Sequence, residues 1–352
     1  MAPTRVRGLI AAAAIAVLSL SACSTGPAGG GSEAAGANEA GSADAFPVTI
    51  GHAFGETVLE EKPERVATVS WVNDDIALAL GVVPVGMPVN EYGGNEQGSV
   101  PWKDAKLEEL GAAIGTESAP VQYSEADGIA FDEIAATNPD VILAAYSGLT
   151  EEDYNTLSEI APVVAYPEVA YGTAWQDSTA MIGKALGLTE EAEQLVSETE
   201  DKIAEAAAEY PAIAGKTFIF GNLEPANSEG VNIYTASDNR PRFLTQIGME
   251  MASVVEENAT GEEFFIPWSA ERADELESDI FVTWVPDEAT KEAIFADPLL
   301  SQIPAVESGA LVADADNTLT LSISAASPLS LVWALDKWLP MINEAAEAAE
   351  AA

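Results

Sequence analysis

Two arginines one residue apart, Arg240 and Arg242, are the most prominent candidates in this sequence for binding a ligand. The chain has 14 lysines and arginines against 58 acids, with a formal charge of −44, so neighbouring cations are rare in it. A guanidinium group donates hydrogen bonds in a fork that fits carboxylate or hydroxamate oxygens. The pair, which precedes a predicted helix, either binds such an oxygen-rich ligand or forms ion pairs with nearby acids. The sequence leaves both interpretations open.

Aromatic side chains are the second group of candidates, because their faces can form the walls of a ligand cleft. They are Trp71, Tyr92, Trp102, Tyr146, Trp268 and Trp284. In open α/β sheets, ligands gather at the carboxyl ends of strands, and this favours Trp71, Tyr146 and Trp284. Packing in the core is an equally open interpretation for any one of the six.

The chain has one histidine, His52, and one cysteine, Cys23. A zinc or manganese site needs several ligands, usually including imidazole. A Ser-His-Asp or Cys-His arrangement for nucleophilic catalysis would require one of these two residues. His52 lies in Gly-His-Ala-Phe-Gly, a predicted strand turn, where a structural role is expected. We therefore expect no bare metal site, no cofactor and no enzyme, although a glycosidase built on paired carboxylates stays open as an alternative.

The N-terminus has the pattern of an export signal. Arg5 and Arg7 precede an apolar run at 9–20, and Leu20-Ser-Ala-Cys23 then matches a lipoprotein cleavage site. We interpret 1–22 as a signal peptide and Cys23 as the lipid-bearing mature N-terminus, whose acyl chains give stable anchoring. The Gly, Ala and Ser of 24–45 predict a flexible tether, so that 23–45 is a lipidated tether on the extracytoplasmic face of the cell membrane. A secreted protein with a chance cysteine is the alternative.

The remaining residues number about 300, which is enough for two domains of ordinary size. The strong negative charge argues against nucleic acid or anionic lipid as a partner. Short apolar runs alternate with amphipathic stretches, the pattern of α/β layers. We predict an N-terminal lobe at 46–173, a helical linker at 174–211, a C-terminal lobe at 212–342 and a frayed tail at 343–352.

Periodicity and turn residues locate the individual elements. Strands are predicted at 65–70, 83–87, 140–146, 162–166, 217–221, 231–235, 253–255, 279–285 and 310–313. Helices are predicted from Asn73 as cap to Gly81, and at 131–138, 151–160, 242–248, 270–277, 290–295 and 328–349. The segment 89–123 is predicted to be a loop, and Thr150 with Asp153 predicts a capping box. The linker is helical except at 187–189, and its second piece, 190–210, predicts a long helix.

Two segments share one pattern. In each, an acid stands eight residues before an aspartate that opens a strand: Asp132 before Asp140 in the first half, and Glu271 before Asp279 in the second. A protein with two related lobes would produce this pseudo-repeat.

Several segments together resemble the siderophore-binding proteins of bacterial ABC iron importers, a group that includes haem and cobalamin carriers. The segments are Val48-Thr-Ile-Gly-His-Ala-Phe-Gly55, Pro63-Glu-Arg-Val-Ala-Thr-Val-Ser70, Ala77-Leu-Ala-Leu-Gly-Val-Val-Pro-Val-Gly86, Asn138-Pro-Asp-Val-Ile-Leu143, Ser147-Gly-Leu-Thr-Glu-Glu-Asp-Tyr-Asn-Thr-Leu-Ser-Glu-Ile-Ala-Pro162, Phe243-Leu-Thr-Gln-Ile-Gly248 and Ser269-Ala-Glu271. They extend over about 46–341 and follow a lipoprotein signal.

The resemblance implies two Rossmann-like α/β lobes joined by a single long spine helix, with the ligand in the cleft between the lobes. It implies a monomer that takes up iron only inside a ferric siderophore and delivers it to the ABC permease subunits. One acid on each lobe would dock into arginine pockets of the permease, and Asp132 and Glu271 fall on those positions. The family usually has Glu at the first, so Glu133 is an alternative there. Haem or cobalamin binding is the alternative within the family, and a surface hydrolase or adhesin is the alternative outside it.

Overall fold

The structure is a computed structural model that describes residues 45–225, 230–261 and 263–351. Cys23, the predicted signal peptide and residues 23–44 of the predicted tether lie outside this description. All described residues belong to one compact unit. None of the helices described in it is both long and apolar enough to cross a membrane.

An antiparallel hairpin opens the described chain, with β1 at Val48–His52 and β2 at Gly55–Leu59. His52 pairs with Gly55 at the turn, as expected from the sequence. Its Nε2 lies 3.0 Å from Thr57 Oγ1, and its Nδ1 accepts a hydrogen bond from the Phe54 amide at 3.2 Å. Burial lowers the pKa of His52. These contacts give the histidine a structural role in the hairpin.

Five parallel strands form the sheet of the first half, in the order β5-β4-β3-β6-β7. Every residue of β3, β6 and β7 is buried, as expected for parallel strands covered on both faces. The central position of β3, with strands added on both sides, is the order of a Rossmann-like sheet. The strands are β3 (Val66–Thr68), β4 (Gly86–Pro88), β5 (Val121–Tyr123), β6 (Val141–Ala144) and β7 (Val163–Ala165).

Four helices accompany this sheet: α1 (Asn73–Ala79), α2 (Pro101–Glu109), α3 (Phe131–Ala136) and α4 (Glu151–Ser158). The capping box of α4 is confirmed, because Thr150 and Asp153 each bond the backbone of the other. Two expectations were wrong. The segment 89–123 contains α2 and β5, and Asn73 is the first residue of α1 rather than its cap, since its side chain bonds other backbone groups.

The linker contains two helices, α5 (Trp175–Ala185) and α6 (Thr189–Ala208), so the predicted break at 187–189 is confirmed. Gly187 makes this break with a left-handed φ of 60°, a conformation that ends helices. Helix α6 has 20 residues and is about 30 Å long. It packs on α5 and on the C-terminal helix of the chain. Its role as the spine between two lobes stays a prediction.

A mixed sheet forms the second half, with the order β11-β9-β8-β12-β13 and β10 also paired with β8. Strands β10, β12 and β13 run parallel within it, whereas β9 and β11 extend it in antiparallel fashion beyond β8. The bounds are β8 (Thr217–Asn222), β9 (Val231–Tyr234), β10 (Glu250–Met251), β11 (Phe265–Trp268), β12 (Ile280–Trp284) and β13 (Leu311–Asp314).

The helices of this half are α7 (Asn239–Gln246), α8 (Ser253–Asn258), α9 (Glu288–Ala296), α10 (Pro304–Glu307), α11 (Asn317–Ser324) and α12 (Pro328–Ala351), with 3-10 helices at Ala270–Glu275 and Leu300–Gln302. The predicted strand at 253–255 was wrong, because these residues begin α8. The predicted frayed tail was also wrong, because α12 continues to Ala351 and buries Ala345 and Ala346. Strand β11 and helix α11 were not predicted.

The aspartates of the two similar segments make similar contacts. Asp140 precedes β6, and its carboxylate accepts hydrogen bonds from the amides of Glu64 and Arg65 at 2.8 and 2.9 Å, just before β3. Asp279 precedes β12, and its Oδ2 accepts from the amide and hydroxyl of Thr217 in β8 at 2.7 and 2.8 Å. In each half, the aspartate fixes the start of a parallel strand pair.

Candidate ligand-binding site

A cavity of about 1310 Å³ is lined by residues that follow strands of the first sheet, by residues of the linker and by residues of the second sheet. Pockets for drug-sized ligands are typically about 300–1,000 Å³, so this one is large enough for a bulky ligand. The segment that follows β7, residues 167–174, forms one wall. Residues of α5, α7 and α11 form others.

Six of the eight predicted ligand-binding residues line this cavity: Trp71, Tyr92, Tyr146, Arg240, Arg242 and Trp284. Trp71 follows β3, Tyr146 follows β6 and Trp284 ends β12, so the carboxyl ends of strands from both sheets meet here as expected. Trp71 is 44% exposed and Tyr92 is 39% exposed, which leaves both rings available to a ligand.

The other two predicted residues, Trp102 and Trp268, lie outside the lining and are buried. Trp102 lies in α2, where its Nε1 donates to Asp75 Oδ2 at 2.6 Å and its ring packs against Trp333 at 5.1 Å. Trp268 ends β11 and donates to the carbonyl of Arg272 at 2.9 Å. Their polar atoms are therefore satisfied inside the protein, and the structure gives both a packing role.

Three aromatic lining residues were missed: Tyr171, Tyr234 and Phe264. Tyr171 follows β7 within the cavity wall, so the rule that favours strand ends would have found it. Its ring centroid lies 6.1 Å from that of Trp71 and 5.8 Å from that of Tyr146. Tyr234 ends β9, which is antiparallel, and that rule applies only to parallel strands.

Arg240 is neutralised inside the protein. Its Nε and Nη2 donate to the two carboxylate oxygens of Asp238 at 2.9 and 2.6 Å, and its guanidinium lies 3.6 Å from the centroid of the Tyr234 ring. Burial alone would lower the pKa of Arg240, but the hydrogen bonds and charge of Asp238 outweigh it and raise that pKa. Helix α7 begins at Asn239, earlier than predicted, so both arginines lie in its first turn.

Arg242 is held differently. Its Nε donates to the carbonyl of Ala236 at 2.9 Å, and its Nη1 donates to the carbonyl of Gly172 at 3.0 Å and to Asn239 Oδ1 at 3.4 Å. All three partners are neutral, and none of the ion pairs within the described residues includes Arg242. Burial lowers the pKa of Arg242, as expected for a partly desolvated cation without a contacting carboxylate.

The cavity differs from the rest of the chain in its charge. Its described lining contains two arginines and three acids, Glu168, Asp177 and Asp238. The whole chain has 58 acids against 14 lysines and arginines. The lining is therefore close to neutral within a strongly acidic protein.

Two tyrosine hydroxyls of the cavity, those of Tyr92 and Tyr146, stay protonated. Burial, together with the nearby Asp314 carboxylate, raises the pKa of Tyr92. Burial also raises the pKa of Tyr146, with Asp238 adding to the effect. Both side chains are thus neutral hydrogen-bonding groups at physiological pH.

The acids predicted to dock on a permease lie outside the cavity. Asp132 and Glu133 are exposed in the first turn of α3, and Glu271 is exposed in the 3-10 helix that follows β11. Among the residues that the structure describes, no group of three or more His, Cys, Asp or Glu side chains is placed to hold a metal ion.

The family model described as periplasmic binding protein matches residues 66–318 of this chain, well over half of it. Among curated proteins, the chain is 24% identical over 280 residues to the ferric enterobactin-binding periplasmic protein FepB of Escherichia coli, covering 74% of this chain and 82% of FepB. It is 27% identical over 210 residues to YhfQ of Bacillus subtilis, named as an ABC transporter substrate-binding lipoprotein, and that match spans 58% of each chain.

Among solved structures, PiaA of Streptococcus pneumoniae TIGR4 in complex with ferrichrome is 37% identical, with a TM-score of 0.79. The match covers 85% of this chain and 99% of PiaA. SirA of Staphylococcus aureus complexed with staphyloferrin B shares the fold, with a TM-score of 0.66 at 22% identity, over 84% of this chain and 98% of SirA. These matches confirm the family resemblance and the two-lobed α/β fold.

Proposed function

Because this chain belongs to the periplasmic binding protein family, we propose that it captures a ferric siderophore outside the cytoplasm and delivers it to the permease of an ABC importer. The observation that carries the proposal is the cavity of about 1310 Å³, whose lining combines aromatic side chains with a guanidinium, that of Arg242, that has no carboxylate partner. A siderophore is bulky, and its chelating groups present oxygen atoms at the surface of the complex. Aromatic walls and a forked donor match both properties.

The near-neutral lining favours a neutral or weakly charged ferric chelate over a highly anionic one. A tris-hydroxamate complex of Fe³⁺ is neutral, whereas a tris-catecholate complex carries three negative charges. Because Asp238 neutralises Arg240, the lining has one further arginine, Arg242, against two further acids, Glu168 and Asp177. This excess of negative charge would repel a trianion. PiaA, the 37% identical relative, is bound to the hydroxamate chelate ferrichrome, which supports the hydroxamate class for this chain.

Tyr92 and Tyr146 are unfavourable axial ligands for haem. Haem iron is held by an axial side chain, and the single histidine lies in the β1–β2 hairpin. A tyrosine ligand binds as phenolate, and the raised pKa values of Tyr92 and Tyr146 oppose that form. Haem and cobalamin therefore serve as comparison ligands in the test.

Anchoring and delivery complete the proposal. Cys23 would carry the lipid and 23–45 would tether a monomeric body to the membrane, so that the exposed acids Asp132, Glu133 and Glu271 face the permease. The named relatives are binding proteins, one of them a lipoprotein, which supports a role in binding without catalysis. The iron enters as part of the siderophore, and no resident cofactor is required.

The test is intrinsic tryptophan fluorescence of the mature chain with Cys23→Ser, titrated with ferric hydroxamate, catecholate and carboxylate siderophores, haem and cobalamin. Exposed Trp71 and the cavity residue Trp284 make the signal sensitive to occupancy. We expect saturable quenching by a ferric hydroxamate that is weaker for the iron-free form. A response to haem or cobalamin alone would replace the ligand class, and hydrolysis of a glycoside panel would favour the enzyme alternative.

A further inference from the structure

Trp71 is presented to the cavity by a strained turn. The residues on both sides of it have left-handed backbone angles, with φ of 61° at Ser70 and 63° at Val72. This conformation is rare for a β-branched residue such as valine and is strained at each position. The turn therefore persists only because neighbouring groups hold it.

One buried side chain supplies two of the hydrogen bonds that hold this turn. Asn73 is fully buried, and its Nδ2 donates to the carbonyl of Val69 at 2.8 Å and to the carbonyl of Trp71 at 2.9 Å. These two bonds close the turn on itself from the end of β3 to the start of α1.

The same amide reaches the neighbouring strand end. Asn73 Nδ2 also donates to the carbonyl of Tyr146 at 2.9 Å, and Asn73 Oδ1 accepts from the Tyr146 amide at 3.1 Å. Nδ2 has two hydrogens for three acceptors, so at least one of its bonds is shared. A single side chain thus bonds the backbone of two cavity aromatics, Trp71 and Tyr146.

Two further contacts fit this arrangement. Glu125 Oε2 accepts a hydrogen bond from the Ser70 amide at 2.9 Å, which holds the outer side of the turn. The Tyr171 ring packs on both Trp71 and Tyr146, and Tyr171 itself has a φ of 57°. Trp71, Tyr171 and Tyr146 therefore form a continuous aromatic wall, and we use that name for these three residues.

We propose that Asn73 is a positioning residue that fixes the aromatic wall in its ligand-ready geometry before the ligand arrives. The inference rests on the proposed function, because it assigns a role in the same cavity. Holding side chains in the bound arrangement lowers the ordering cost of binding. Loss of the Asn73 amide should therefore weaken binding through Trp71 and Tyr146, although Asn73 itself is buried beneath them.

The test uses Asn73→Ala and the milder Asn73→Ser, which retains one hydroxyl donor in case the alanine variant does not fold. The matched control is Asp140→Ala. Asp140 also joins the β3 and β6 segments through two backbone hydrogen bonds, but at the opposite end of the same sheet. Siderophore affinity is measured for each variant, with the free energy of unfolding by urea as the measure of stability.

We expect the Asn73 variants to weaken ferric siderophore binding about tenfold. A tenfold change in affinity corresponds to the net free energy of roughly one hydrogen bond. Asp140→Ala should lower stability and leave affinity within about twofold of the wild type. The decisive readout is a double-mutant cycle with Trp71→Ala, in which the effect of the Asn73 substitution on affinity should fall to about threefold or less.

Two outcomes would overturn the inference. One is an equal loss of affinity in Asp140→Ala and the Asn73 variants, and the other is an undiminished Asn73 effect in the Trp71→Ala background. The first result would mean that Asn73 acts through the stability of the lobe, and the second that it does not act by positioning Trp71. If the wild-type chain binds no ferric siderophore, the proposed function fails instead, and that failure is visible before any variant is made.

Discussion

Arg242 is the cavity residue whose chemistry is most open to a ligand, because its hydrogen-bond partners are all neutral. Arg242→Gln removes the charge and the fork. We expect the affinity for a ferric siderophore to fall about tenfold or more, since hydrogen bonds to charged groups are worth about 1.5–3 kcal/mol. Fluorescence titration measures the loss.

The matched control for this prediction is Arg272→Gln. Arg272 lies against the Trp268 ring, but it is exposed and paired with Glu275 away from the cavity. Its substitution should leave the affinity unchanged. An equal loss in both variants would show that net charge, and not the position of Arg242, governs binding.

Glu125 gives the second residue-scale prediction, on stability and pH. Burial raises the pKa of Glu125 to about 7, against the opposing hydrogen bond from the Ser70 amide, and the nearby Asp74 and Glu91 carboxylates add to the rise. In the unfolded chain the pKa is near 4.5. Between these values the folded state holds more protons, so this group's contribution to stability is lost as pH rises from about 4.5 to about 7.

Glu125→Gln should remove that loss. We expect the variant to be more stable than the wild type at pH 8, by up to about 3 kcal/mol, and the difference to shrink towards pH 5. Urea unfolding at several pH values measures it, with Glu117→Gln as an exposed control. A difference that grows as pH falls would contradict the assignment.

Much of the site could be predicted from the sequence, because Trp71, Tyr146 and Trp284 combine an aromatic side chain with a position at a predicted strand end. Each lies at the carboxyl end of a parallel strand, where the two sheets meet the cavity. Trp102 was placed wrongly because 89–123 is rich in Gly, Glu and Pro, and this composition concealed α2. Whether a tryptophan lines a cavity or packs in a core depends on tertiary contacts that its neighbours in sequence do not determine.

At the scale of elements, α1, α2 and α12 meet around a buried polar group. Asp75 Oδ2 accepts from Trp102 Nε1 at 2.6 Å and from Ser327 Oγ at 3.0 Å, and Lys103 Nζ lies 3.7 Å from Asp75 Oδ1. Ser327 precedes α12, so the cluster joins helices from the two halves of the chain. A buried carboxylate that loses a hydrogen-bond donor lowers the stability of the folded state.

We therefore predict that Trp102→Phe lowers the free energy of unfolding by about 1–3 kcal/mol and leaves siderophore affinity unchanged. The matched comparison is Trp71→Ala, because Trp71 is exposed in the cavity and Trp102 is buried. Trp71→Ala should weaken siderophore binding and leave the free energy of unfolding unchanged. Urea unfolding and fluorescence titration are made on both variants. Weaker binding in Trp102→Phe with unchanged stability would contradict this prediction and indicate that Trp102 takes part in ligand binding.

The elements that were predicted are those with one dominant local signal. Fully buried strands such as β6 appear as continuous apolar runs, and α4 has its capping box. Helix α11 has the sequence Asn317-Thr-Leu-Thr-Leu-Ser-Ile-Ser324, whose alternation and branched residues do not indicate a helix. Asp316 caps it through the amides of Thr318 and Leu319, and burial of its apolar residues stabilises it. Tertiary packing overrides local propensity there.

At the scale of the whole molecule, the two proposed steps of transport, ligand capture and docking on the permease, involve different surfaces. The cavity lining is near neutral, whereas the chain as a whole has a charge of −44. Asp132, Glu133 and Glu271 are exposed and lie outside the cavity lining. If these acids dock on a permease as proposed, we expect their substitution to leave ligand capture unchanged.

The corresponding prediction uses the triple variant Asp132→Asn, Glu133→Gln, Glu271→Gln in cells that produce the chain and its permease. We expect siderophore affinity within about twofold of the wild type, because the substitutions are remote from the cavity. Uptake of iron-labelled siderophore should fall at least about tenfold, since charge complementarity sets productive encounter between partners. Glu271→Gln alone should reduce uptake more than Asp132→Asn alone, because Glu133 beside Asp132 can replace it.

Glu275→Gln is the control for this experiment, since Glu275 is an exposed acid four residues beyond Glu271 that is already paired with Arg272 at 2.6 Å. Its loss should leave uptake unchanged. Normal uptake by the triple variant would refute docking through these acids and leave ligand capture intact. Reduced uptake together with reduced affinity would place the defect in the fold, because a docking surface outside the cavity has no contact with the ligand.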